Sequence, residues 1–273
     1  MPGERIGNNI SFEYYNGPTL KARNAVKNTV EEFVKKAGSN GNFINGFTFS
    51  VVETFKDLKP DTPFKQLLKT SNENTGIWGA SNPTEIDREK GIVIQTFEID
   101  PAQSIFSKNM TSRFIESTVM HEIGHCFDDY YGPKDKDLIE KVRKFHMEDD
   151  LTSEEEDILI EYHFTKDLSD SNEYKQAWRK DVTALGKDEK TLKEFLNDQI
   201  KSYYTPDEID ISDGVSLDEV ELADHSRSEV FAQLFAYALG KDDGNKDEIT
   251  KVYKNTYKVV KSYVKKYLKV NPD

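Results

Sequence analysis

The chain has a single cysteine, Cys126, so no disulfide can form within it; many secreted bacterial enzymes also lack one, and compartment is left open. It holds no run of about eighteen apolar residues, the length a membrane span needs, which argues against membrane insertion. A hydrophobic signal core is also missing after Met1-Pro2-Gly3-Glu4-Arg5, so a cytoplasmic protein or a mature form that has lost its signal is expected. Positive charge is short: 37 Lys and Arg stand against 50 Asp and Glu, for a formal net charge of −13. Nucleic acid and anionic membrane surfaces select for the opposite balance and are excluded as main partners. Internal repeats, a phosphate-cradling glycine loop and a Ser/His/Asp arrangement are absent as well. What remains, 36% hydrophobic and 32% charged over 273 residues, suits a soluble protein with a substantial core.

Five histidines are present, His121, His125, His146, His163 and His225, and two of them carry the strongest signal. Residues 121 to 125 read His121-Glu122-Ile123-Gly124-His125, the HExxH pattern of zinc peptidases. Positions i and i+4 share a helix face, so both imidazoles can reach one metal ion. Glu122, on the adjoining face, can deprotonate a water held beside that ion. The pattern also arises by chance, and its context decides. Ile115, Val119, Ile123 and Phe127 form an apolar stripe with a four-residue period, which lets a helix from about Thr111 to Tyr131 pack on a core while its metal face looks into a cleft. Asp128 and Asp129 follow His125 within a turn; either can accept the second N–H of an imidazole, or both can cap a solvated helix end. Gly132-Pro133 ends the helix. Cys126 is expected to be a small packing residue.

Zinc needs a third protein ligand, leaving the fourth position for water. The best candidate is Glu229, at the start of a second apolar helix, about 226–240, with Phe231, Leu234, Phe235 and Leu239 at core spacing. A carboxylate beside an apolar face is costly unless something positive meets it. The plainer account is a glutamate favoured by the helix dipole.

The run from His121 to Gly132 resembles the active-site helix of the anthrax lethal factor catalytic domain and of the related secreted pro-pro endopeptidases: HExGH, then Asp-Asp-Tyr, then a closing glycine. Glu229, Phe231-Ala232 and Phe235 look like that family's second motif, and Asp170-Ser171-Asn172-Glu173-Tyr174 like the segment that often precedes it. The likeness covers roughly residues 90 to 240. It implies a zincin-like α+β fold, with a small mixed sheet, an active-site helix and a predominantly helical C-terminal part. It implies Zn²⁺ held by His121, His125 and Glu229, Glu122 as general base, and a protein or peptide substrate with a preference for proline. It also implies secretion, with a cytoplasmic location as the alternative. Two departures stand out. Where the relatives have a transition-state tyrosine seven residues before the glutamate ligand, this chain has Leu222, leaving His225, Tyr203 or Tyr204 as candidates, His225 being the nearest in sequence. The connection between the two motifs is also longer than in the relatives, which suggests a helical insertion at about 134–205 and means that specificity does not carry over freely.

One domain over 1–273, acting as a monomer, is expected. The spacing predicts a helix over residues 18–37, a strand over 47–54, a short helix over 63–69, short strands at 77–80 and 92–99, and helices from Lys134 onward. Strand 92–99, the last before the metal helix, is the expected sheet edge for a peptide substrate. Trp78 reads as core or as a subsite wall. Glu148 to Asp157 is acidic at seven of ten positions but has no glycine for a calcium loop; Thr152 with Glu155 forms a capping box instead. Thr205-Pro206 repeats a helix-start signal. Asp247 to Val270 reads as one amphipathic closing helix. Three rival readings are a non-catalytic zinc-stabilised interaction module, an intracellular regulatory zinc peptidase, and an accidental motif in a helical scaffold protein.

Overall fold

Phe12, Phe49, Val51, Ile92 and Ile94 are wholly buried, and they belong to the three strands at the middle of a mixed five-stranded sheet. The computed structural model describes residues 4–6, 9–53, 79–82, 91–100, 105–109, 111–132, 167–198 and 224–273, with Asp137, Lys141, Thr152, Ile158, Lys201, Tyr204 and Thr205 besides; residues 4, 79–82, 97–100, 105–109, 224 and 225 are described by main chain alone. The sheet strands are β1 (Glu4–Ile6), β2 (Ile10–Tyr14), β3 (Thr48–Val52), β4 (Gly79–Asn82) and β5 (Gly91–Gln95), in the order β1-β2-β3-β5-β4. β2, β3 and β5 run parallel, and β1 and β4 lie antiparallel on the outside.

Helix α1 (Leu20–Ala37) makes the crossover from β2 to β3. Thr19 caps it by accepting from the Ala22 N–H at 3.2 Å, and its Ala22, Val26, Val30 and Phe33 face is buried, as the spacing predicts. The expected strand 92–99 is in fact two. Thr96 interrupts it: its N–H and its hydroxyl both donate to the Val52 carbonyl at 3.0 Å, which turns the chain off the sheet. Beyond Thr96, β6 (Phe97–Asp100) pairs instead with β7 (Ile105–Asn109). The expectation that 92–99 forms the sheet edge is corrected by the same topology. β5 has β3 on one side and β4 on the other, and β1 and β4 are the two edge strands among the described residues.

From residue 112 onward the described elements are all helical: α2 (Ser112–Tyr131), a 3₁₀ turn (Leu168–Asp170), α3 (Asn172–Gly186), α4 (Glu189–Leu196), α5 (Asp224–Ala238), α6 (Lys246–Val252), α7 (Lys254–Tyr263) and a π turn (Val264–Leu268). The protein is thus a mixed α+β molecule with a small mixed sheet and mostly helical content. Its buried apolar residues form one continuous cluster running from Ile10 to Val270. Of the segment 134–205 expected as an insertion, α3 builds part of that cluster through Tyr174, Trp178 and Val182. The readings at 63–69, Ile77, Trp78, His146, Glu148 to Asp150, His163, Tyr203, Pro206 and Leu222 lie outside the described residues.

The single closing helix expected over 247–270 is broken at Tyr253 (φ −90°, ψ 40°). The cause is a buried carboxylate. Asp181, on α3, accepts the main-chain N–H of Asn255 at 2.9 Å and of Thr256 at 2.8 Å, plus the Thr256 hydroxyl at 2.8 Å, and so caps a new helix start.

Candidate metal centre

Two helices supply the site, and a glycine lets them meet. α2 begins at Thr111, whose hydroxyl accepts from the Phe114 N–H, and ends at Gly132, in the extended backbone that a following proline favours. A Cβ placed on Gly124 would lie 2.9 Å from both Cα and O of Ala232 on α5, closer than real Cβ atoms come. The glycine of the HExGH pattern therefore permits the backbone contact that brings the two helices together.

Across that contact three atoms converge. His121 Nε2 lies 2.9 Å from Glu229 Oε2, His125 Nε2 lies 3.1 Å from His121 Nε2, and His125 Nε2 lies 3.4 Å from the same carboxylate oxygen. Ligands of one tetrahedral zinc ion with bonds of about 2.0–2.1 Å stand roughly 3.3 Å apart, so the triangle has the size the ion requires. His121, Glu122 and Glu229 are buried, and His125 is partly open.

The protonation of His121 follows from its surroundings. Asp243 can only accept hydrogen bonds, so the Gln233 amide nitrogen faces it at 3.5 Å and Oε1 points the other way, to His121 Nδ1 at 2.9 Å. An amide oxygen carries no proton, so Nδ1 is the donor, and in the neutral ring this leaves the lone pair at Nε2. On the second imidazole, Nδ1 meets the Ser228 hydroxyl at 3.2 Å. A lone pair at Nε2 of His121 facing a carboxylate oxygen and a second ring nitrogen is a repulsive arrangement unless a cation or a shared proton lies among them. The residues present therefore fit a divalent metal with imidazole and carboxylate preference.

Electrostatics agree with this. Burial works against a charged imidazole, yet the charge and hydrogen bond of Glu229 outweigh it and raise His125 to about 9. The charge of Glu122 contributes to that rise. Burial alone would push Glu229 up, but the charge of His125 and the close approach of both imidazoles hold it well below the ordinary carboxylate range.

Several sequence expectations change here. Asp128 accepts the Ser169 N–H and hydroxyl, each at 2.7 Å. Burial and the neighbouring charge of Asp167 push its carboxyl well above the usual range. Gln233 and Ser228 are the partners of the two imidazole Nδ1 atoms. Tyr204, one of three candidates for the transition-state donor, lies buried behind His121 and donates to Gln233 Oε1 at 3.1 Å. His225 is in the first turn of α5, and its side chain is not among those described. Cys126 is buried in the core, as expected. Asp170 and Arg227 form a buried ion pair at 2.7 Å that sequence reasoning missed.

No family model, curated protein or solved structure matches this chain.

Proposed function

We propose that the protein is a zinc-dependent endopeptidase of zincin-like architecture. The observation that carries this reading is the triangle of His121 Nε2, His125 Nε2 and Glu229 Oε2, with His121 Nδ1 held by Gln233 and the buried Glu122, next to His121 in sequence, acting on His125 through its charge. A purely structural zinc site has no use for that fourth group. When bound, Zn²⁺ would act as a Lewis acid, polarising the scissile carbonyl and lowering the pKa of a water towards about 7.

This chain's own residues do the rest. Glu122 takes the proton of the attacking water and delivers it to the leaving amine. His125 and Glu229 hold opposite charge close together in the metal-free protein, and both must give up that pairing to act as ligands. An extended peptide adds to β4, the edge strand among the described residues that lies against α2. His225 and Tyr203 are the remaining candidates to donate to the oxyanion, His225 being the nearer of the two in sequence to Glu229. A proline preference, and a secreted location, come from the motif resemblance.

The test is cleavage of a diverse peptide library read by mass spectrometry, with wild type beside Glu122→Gln and with chelator. Cuts should disappear with chelator, and Glu122→Gln should lose about 10²–10⁴-fold in rate while keeping its zinc. An undiminished rate in Glu122→Gln sinks the mechanism. Zinc retained with no cleavage by wild type points to the interaction module.

A further inference from the structure

We infer that the short turn Leu168–Asp170 is a clamp that sets the spacing of the two metal-bearing helices, with Ser169 and Asp170 as positioning residues for the ion. This rests on the metal-binding part of the function proposed above and is independent of the peptidase part. Two of the three ligands ride on α2 and one on α5, so the triangle keeps its size only while those helices keep their separation. A metal site tolerates displacement of about 0.5 Å before affinity falls. Gly124 lets the helices touch, but contact alone stops neither sliding nor parting.

The turn grips both helices by hydrogen bonds. On α2, Asp128, three residues after His125, accepts from Ser169 N and Oγ at 2.7 Å each. On α5, Arg227, two residues before Glu229, gives Nη2 to Asp170 Oδ1 at 2.7 Å. Tyr174, in the first turn of α3, adds a hydrogen bond from its hydroxyl to the Arg227 carbonyl at 3.0 Å. The turn is closed on itself, with the Asp167 N–H donating to Asp170 Oδ2 at 3.2 Å. The Asp170 and Arg227 side chains are 1% and 2% exposed, so water does not loosen the pair. Adjacent residues of one rigid turn thus hold the helix of the two histidines and the helix of the glutamate.

A turn that only stabilised the core would act on folding and leave the metal alone, and the experiment separates the two. In the full chain, the dissociation constant for Zn²⁺ is measured by competition with a chromophoric chelator, and Tm is measured on the zinc-free protein. The variants are Ser169→Ala, Ser169→Thr and Asp170→Asn, with Asp181→Asn as a control that uncaps α7. Ser169→Ala and Asp170→Asn should weaken zinc binding by about tenfold or more, and Ser169→Thr, which keeps the hydroxyl, should recover most of it. Asp181→Asn should lower Tm and leave zinc affinity where it was. The clamp is refuted if Ser169→Ala and Asp170→Asn bind zinc as wild type does. It is equally refuted if Asp181→Asn loses as much affinity for the same fall in Tm. Should Asp170→Asn fail to fold, the Ser169 pair decides alone. Wild type that binds no zinc overturns the metal centre itself, and a zinc-binding wild type that cuts nothing overturns only the peptidase.

Discussion

His121 presents a lone pair at Nε2 only while its proton stays on Nδ1, and Gln233 keeps it there. Gln233→Leu removes the acceptor without adding charge, so zinc affinity should fall about 10–100-fold, measured by the same chelator competition. This partner was within reach of the sequence: Gln233 lies one helical turn beyond Glu229 and shares its face. The aspartates after His125 drew attention instead because they were close in sequence. Asp128 answers to Ser169, 41 residues away, and no local pattern announces that. A pH effect follows from the same side chains. In the zinc-free protein the pKa of His125 is raised from 6.5 to about 9, so its stabilising contribution is complete below about pH 6.5 and is lost as pH rises through about 9. The pKa of Glu229 is depressed below 4.5, so its contribution is present above that value and is lost as pH falls through its folded-state value. Zinc must displace the His125 proton, so its affinity rises with pH up to about 9. The Tm difference between loaded and stripped protein should therefore widen from pH 6 to pH 9; a constant difference would contradict the assignment.

At the level of elements, the two ligand helices were legible from their apolar periodicity, and the closeness of their contact was not. Gly124 read as one of the free positions of the HExxH pattern, yet a side chain there meets the backbone of Ala232. Gly124→Ala should cost about 1–3 kcal/mol of stability by overpacking, seen as a lower urea midpoint, and should weaken zinc by prising the helices apart. Two other elements were misjudged for a shared reason. Residues 92–99 alternate well enough for one strand, and 247–270 for one helix, but Thr96 hands its hydrogen bonds to Val52 and Asp181 captures the N–H groups of Asn255 and Thr256. In each case a polar group from another part of the fold offered the backbone a partner that local propensity could not foresee. Asp181→Asn should lower the stability of the metal-free protein by roughly 1–3 kcal/mol, since the amide cannot accept from all four donors, the Asn255 side-chain amide being the fourth. A melting temperature equal to that of wild type would remove the cap as the explanation for the break.

Over the whole molecule, one buried cluster ties the sheet to the helices, and the metal centre lies at the contact between two of those helices. An ion that binds only the folded chain adds about 4 kcal/mol at a thousand times its dissociation constant, so stripping the metal should lower Tm and replacing it should restore it. The α+β class was readable from aromatic and β-branched runs before the motif and helical periodicity after it. The place of β5 inside the sheet was not, because strand order depends on the partner that β4 supplies. The separation of the ligands along the chain has its own bearing on synthesis. His121 and Glu229 are 108 residues apart. At about 5–20 residues per second, the ribosome finishes the helix of the two histidines roughly 5–20 seconds before it makes the glutamate. For that interval a nascent chain holds two of the three residues of the candidate metal centre, and the proposed site is complete only once the helix of Glu229 has been made.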